Sequence, residues 1–412
     1  MMTVKQKIRK LCVVALVVLV LLAAVKVAAV AYDQYRLYNY RKERDSFPTY
    51  KTEGKSSLGE NLYLTAHTNN YEHGWLFITD CEGKELWRSE DLGTYAYSFR
   101  QYVYPDGTVR YAYQLVEELM PKANGAIEKT HIVLLDEQMN VINDNIVPLP
   151  YGTMRGDLFC ENHEYIILGD DHYVLTTAVE IVPENLGFHV FNNIIQEQKD
   201  GEVIWHLETI DYPELYEASC QGNQYETYTD ASGQCGDYVH INSVDFDKNN
   251  NAVIVSFRNL GLVSFDYTTK EINWMIGTNR NDIAGVTADK MPKFQHCARV
   301  MEDGSLIAFD NSGCLEDYSR IQRFWIDSEK KQLTDYKEYL GNMPRSPYMG
   351  CIQLVDEDTE TYLISYGGDF SEMALEEYDF SNGKRTFKLV FDMGHDLYAF
   401  SAGPQKVRWH GY

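Results

Sequence analysis

The chain has 412 residues, 44% of them hydrophobic, and 31 tyrosines, a composition that suits a folded protein with a large core and not a disordered chain. Its formal net charge of −24 argues against a nucleic-acid partner, because phosphate backbones are held by basic surfaces. The same charge requires that any anionic small molecule meet a locally positive pocket inside a repulsive field.

The N-terminus carries Lys5, Lys7, Arg9 and Lys10 ahead of an apolar run, LCVVALVVLVLLAAVKVAAVA, of about bilayer-spanning length. Positive charge on the near side predicts a cytoplasmic N-terminus and an extracytoplasmic remainder. Residues 1–32 are therefore expected to form a basic tip and a transmembrane helix, a single-pass membrane anchor. Ala29-Val30-Ala31 also has the form of a signal-peptidase site, so secretion after cleavage near Ala31 is the alternative. Residues 33–59, charged and rich in aromatics, read as a stalk, and residues 60–412 as the folded domain.

From there one pattern recurs. An apolar strand ends in Asp or another polar residue, a turn with Gly, Asn or Lys follows, and a second strand often carries an aromatic. The six instances are LFITDCEGKELW, IVLLDEQMNVIND, NIIQEQKDGEVIW, LVSFDYTTKEINW, RFWIDSEKKQLTDY and EYDFSNGKRTFKLVF. A fixed period of strand hairpins predicts an all-β, six-bladed β-propeller. Pro-Asp-Gly at 105–107, Gly-Asp-Asp at 169–171 and Glu-Asp-Gly at 302–304 supply further hairpin turns. The alternation in YLTAHTNN, RYAYQL and TYLISYGG predicts half-buried strands, and residues 212–236 read as a loop that interrupts the period. Of the eight cysteines, Cys220 and Cys235 bracket that loop and are the expected disulfide.

Three histidines share one context. His163, His240 and His296 each precede a polar turn and an apolar strand by a similar distance, so in a propeller they point the same way, toward the axis. Inward histidines serve as metal ligands, as acid and base groups, or as buried structural side chains. His131, His172 and His410 lack the context and read as structural. Asn242 lies two residues after His240, on the same face of an extended segment. Arg258 ends the strand Ala252–Phe257, which would pair antiparallel with the segment that holds His240.

The segments DYVHINSV, SFRNLGLVSFDYTTKEINWMIG and FQHCARVMEDGSLIAFDNSG, together with GDLFCENHEYIILGDDHYVL and IIQEQKDGEVIWHLE, resemble the bacterial arylsulfate sulfotransferase family from about residue 60 to the C-terminus. The resemblance implies a six-bladed propeller that moves a sulfuryl group from an aryl sulfate ester to a phenolic acceptor, without a nucleotide donor, cofactor or metal. It implies that His296 is the nucleophile and forms a sulfohistidine. His240 and Asn242 would match the His and Asn of the family's His-x-Asn motif, Arg258 its anion-binding arginine, and His163 a histidine of an earlier blade lining the same site, with His240 and His163 catalytic beside His296 and Asn242 and Arg258 binding the substrate. Two positions depart from the family pattern: Cys297 stands where Asp usually follows the nucleophile, and Gly277-Thr278 stands for Gly-Gly. Two other classes fit the residues, a non-catalytic propeller that binds a ligand or partner at the same mouth, and a metal-dependent hydrolase built on the three histidines. The hydrolase is disfavoured by the expected lack of a paired carboxylate beside two of the three.

Overall fold

The six repeated hairpins are the outer strand pairs of six separate sheets. The computed structural model describes Lys26 and residues 47–67, 72–118, 128–156, 158–183, 189–219, 227–230, 233–312, 318–340, 345–346, 348–367, 375–391, 400–405 and 407–412. Blade one is Leu62–His67, Gly74–Thr79 and Glu85–Arg88; blade two is Ala96–Val103, Val109–Glu118, Lys129–Leu135 and Val141–Ile146. Blade three is Tyr165–Gly169, His172–Ile181, His189–Lys199 and Glu202–Glu208, and blade four is Ile241–Asp247, Ala252–Phe257, Gly261–Asp266 and Ile272–Gly277. Blade five is His296–Val300, Leu306–Asp310, Arg320–Asp327 and Gln332–Tyr339, and blade six is Cys351–Asp356, Thr361–Ser365, Leu375–Asp379 and Lys384–Phe391. This is the expected six-bladed propeller.

The hairpin turns follow from local chemistry. Asp80 Oδ1 accepts the N–H groups of Glu82 and Lys84, and Asp136 Oδ1 accepts those of Gln138 and Asn140. The side chain thus substitutes for a backbone acceptor and closes the turn. The left-handed position that such turns need is filled by Gly83 and Gly383 in blades one and six, where the absence of Cβ makes it cheap.

The ring closes twice. Phe400–Ala402 pairs with Leu62–Leu64 and completes blade one, while Tyr50–Gly54 pairs with Phe387–Phe391 on the far edge of blade six. Part of the segment read as stalk is therefore a blade strand, and the compact unit runs from Pro48 to Tyr412. Trp409, fully buried, packs with Trp205 of blade three and Phe246 of blade four.

The core lies between blades. Ile254, Leu262 and Trp274 of blade four pack on Ala308 and Phe324 of blade five, similar clusters join blade one to two, two to three, three to four and five to six, and Phe77 of blade one meets Phe391 of blade six edge to face. Face-to-face packing overturns one expectation: Leu62–His67 and Thr361–Ser365 are buried at every position, not on one face only. Alternation survives on the outer strand Lys384–Phe391. The expected loop at 212–236 also holds regular structure, a short helix at Pro213–Ala218 and two strands, Thr227–Asp230 and Gly233–Gly236, that extend blade three. Cys220 is outside the described residues, and with it the expected pairing to Cys235. The apolar run at 11–31 is outside them except for Lys26; among the described residues no helix is long and apolar enough to cross a membrane.

Candidate active site

The innermost strands of blades three, four and five begin at one end of the propeller axis, and each begins beside a histidine. His163 precedes Tyr165–Gly169, His240 precedes Ile241–Asp247, and His296 opens His296–Val300. The three rings meet: centroids of His163 and His240 are 5.0 Å apart, and those of His163 and His296 are 5.6 Å apart. By contrast His131 pairs with Glu117, His172 bonds Tyr412 and Glu197, and His410 stacks on Tyr267, so the histidines read as structural have partners of their own.

Irregular backbone aims the cluster. The ladder of blade four slips between Ile241 and Ser243, leaving Asn242 at a bulge, and that of blade five slips between His296 and Arg299. His240 (φ 56°) and Cys297 (φ 52°) are in the left-handed region, a costly state for residues with a Cβ. Bulges and strained residues re-aim side chains at strand ends. The strain at His240 is held by its own peptide groups: Arg258 N–H donates to the His240 carbonyl at 2.8 Å, and His240 N–H donates to Asp237 at 3.2 Å.

Each ring is fixed through Nδ1. His163 Nδ1 is 2.5 Å from Glu161 and His240 Nδ1 is 2.6 Å from Asp237, while His296 Nδ1 is 2.8 Å from the carbonyl of Gly350. A carbonyl only accepts, so Nδ1 of His296 carries the proton and Nε2 keeps its lone pair. Burial holds the His296 pKa well below 6.5, and the neighbouring His163 adds to the effect, so the ring is neutral at pH 7. The expectation that two of the three histidines lack a carboxylate partner is overturned: His163 and His240 both have one. Among the described residues no group of three or more His, Cys, Asp or Glu side chains is arranged to hold a metal ion.

The two remaining expected residues both belong to blade four, Asn242 within Ile241–Asp247 and Arg258 just after Ala252–Phe257. Asn242 donates to the Gln295 carbonyl at 2.6 Å, and its Oδ1 has no hydrogen-bond partner among the described residues. Gln295 in turn donates to Ser256, Phe257 and Gly261, so blade four grips the residue just before His296. The Arg258 guanidinium lies over the ring of Phe294, 5.3 Å from its centroid.

Sequence reasoning missed Glu161, Asp237 and Gly350, which orient the rings. The first two are two and three residues ahead of their histidines, a signal that was there to be used. It also missed Glu128, which accepts from Tyr95 at 2.5 Å and Tyr97 at 2.6 Å and whose pKa is raised by burial.

Along the same strands lies a layer of charge. Glu164, buried, bonds Arg100 at 2.5 Å and Arg299 at 2.7 Å. These three residues line a cavity of about 620 Å³ that also touches Asp245, Cys351 and Arg408, and the three histidines are not among its walls.

A family model described as Arylsulfotransferase (ASST) matches residues 49–399. No curated protein sequence matches the chain closely.

Proposed function

Because this chain belongs to the arylsulfotransferase family, over a match that covers most of its length, we propose that it transfers a sulfuryl group in two steps through a covalent adduct on His296. Membership implies an aryl sulfate donor and a phenol acceptor. The observation that carries the two-step reading is the Gly350 carbonyl on Nδ1 of His296, which leaves Nε2 unprotonated beside His163.

In the first step Nε2 of His296 attacks sulfur as the aryl oxygen–sulfur bond breaks, and protonated His163 gives its Nε2 proton to the departing phenolate. In the second step neutral His163 takes the proton of the acceptor phenol. The phenol oxygen attacks sulfur, the nitrogen–sulfur bond breaks, and His296 recovers its lone pair. Glu161 and Asp237 accept from Nδ1 of His163 and His240 and so aim Nε2 of each into the site; His240 donates from Nε2 as the imidazolium, its charge matched by Asp237. His240, the second amide N–H of Asn242, and Arg258 hold the sulfonate oxygens, where positioning and charge stabilisation do most of the catalytic work. One such donor is worth about 10²–10³ in rate. The run at 11–31 anchors the chain in a membrane, with the propeller outside the cytoplasm, a reading supported by the basic residues ahead of it.

Incubation with p-nitrophenyl sulfate, without acceptor, tests the adduct. The expected result is one released nitrophenol per chain and one sulfuryl group on the peptide that contains His296. A modified His240 with an unmodified His296 would reverse the assignment, and neither product would refute the enzyme reading.

A further inference from the structure

We propose that Cys297 and Cys351 form a reversible disulfide that joins the innermost strands of blades five and six directly behind His296. Their Sγ atoms are 2.7 Å apart, and a small shift of either side chain brings them to the bonding distance of about 2.05 Å. The two positions are next to the two ends of a hydrogen bond already described: Cys297 follows His296, and Cys351 follows Gly350, the residue whose carbonyl sets the His296 ring. A covalent link at 297–351 would hold that hydrogen bond at its length, a consequence that rests on the proposed role of His296.

The surroundings suit the chemistry. Cys297 is buried, and the N–H of Ile352 approaches its sulfur at 3.5 Å. The hydrogen bond from Cys351 pulls the Cys297 pKa down to about 6 against the effect of burial, and Arg299 helps, while the Cys351 thiol is pushed up. The pair thus shares one proton between two sulfurs, the arrangement that supplies a thiolate for attack. Access differs between the two. Cys351 lines the cavity of about 620 Å³ and Cys297 does not, so a small oxidant reaches one sulfur first.

With a peroxide as oxidant the steps balance. Cys351 passes its proton to Cys297 across the 2.7 Å contact and, as the thiolate, takes one peroxide oxygen to become a sulfenic acid, while the other oxygen leaves as water with a proton from solvent. The Cys297 thiolate then attacks that sulfur, the sulfur–oxygen bond breaks, and the hydroxide leaves as a second water after taking up a proton. The sum is two thiols and one peroxide giving one disulfide and two waters. A dithiol reductant reverses it by exchange.

The test is a peptide map of the purified full chain after limiting hydrogen peroxide, quenched in acid and digested without reductant. The expected product is a linked pair of peptides containing Cys297 and Cys351, lost on adding dithiothreitol. In Cys351→Ser the link should vanish while Cys81 and Cys160 keep their wild-type state. Recovery of both cysteines from the wild type as free thiols, or as unlinked oxidised acids, would overturn the proposal. The wild-type map decides alone, so a variant that misfolds leaves the test intact. It reads sulfur chemistry only, so it stands or falls separately from sulfuryl transfer.

Discussion

The innermost strands carry two layers of ionisable side chains, built on opposite plans. At the strand starts, His163, His240 and His296 each commit one ring nitrogen to an acceptor and turn the rings toward one another. One to three residues further on, Glu164 is clasped by Arg100 and Arg299 so that its charge is matched on both oxygens. In the first layer Nε2 of His296 keeps its lone pair; in the second both oxygens of the one carboxylate are taken up by guanidiniums. Burial alone would raise the Glu164 pKa, and the two guanidiniums outweigh it and hold the carboxyl below its usual range. The contrast teaches that burial by itself does not mark a site. What marks one is a buried group with half its hydrogen-bonding capacity held in reserve.

The largest separation between the layers should come from His296→Asn. With no group left to accept the sulfuryl, turnover should fall by about 10⁴-fold or more, as for other removed nucleophiles. The thermal midpoint should move little. Near-normal turnover in this variant would break the comparison at its reactive end. Glu164→Gln should do the reverse. It leaves two part-buried guanidiniums, which keep the Tyr165 and Ala298 carbonyls, without their carboxylate, a loss of about 1–3 kcal/mol in stability by urea titration, with activity per folded molecule affected far less. A neutral effect on stability would mean that the charge layer is not structural.

Asp237→Asn sharpens the reactive end. It keeps the shape beside His240 and removes the charge that orients the ring, so sulfuryl transfer should drop by about 10–100-fold, the usual cost of losing an orienting partner. A smaller effect comes from pH. The folded pKa of His296 is below its unfolded value near 6.5. As pH falls through 6.5 the unfolded chain takes up the proton first, so wild-type stability should decline relative to His296→Asn, by at most about 1.4 kcal/mol per pH unit. The contribution is fully present above pH 6.5 and lost below it. Parallel pH profiles for the two proteins would contradict the burial of a neutral ring.

Legibility in the sequence followed the range of the interactions. The six outer hairpins are local, and their apolar-strand, polar-turn repeat was sufficient to count the blades. The three histidines were legible because their context repeats; their convergence was an inference from ring geometry. Gly350 was not legible, since its carbonyl reaches His296 from another blade, 54 residues away. Tyr50–Gly54 was read as stalk because a mostly exposed edge strand has no apolar face to announce it, and its partner, Phe387–Phe391, is at the other end of the chain. The carboxylates Glu161 and Asp237 stand within three residues of their histidines, so their pairing was within reach of local reading.

The mildest perturbation tests whether the hairpins are independent of both layers. Asp266 closes the outer turn of blade four, its Oδ1 accepting the N–H groups of Thr268 at 2.8 Å and Thr269 at 2.7 Å. In Asp266→Ala those two donors turn to water, which is available at this exposed turn, so the loss is the net value of side-chain to backbone bonds and not a burial penalty. That places the expected destabilisation at about 1 kcal/mol. Sulfuryl transfer should be unchanged, because the turn is on the outer edge of the blade and His240 is held by Asp237 and by the peptide group of Arg258 on the inner edge. Urea titration and a transfer assay on the same preparation read both quantities. A fall in activity larger than the fall in folded fraction would mean that the outer turns set the geometry of the strand starts, and the two ends of a blade would then have to be treated as one mechanical unit.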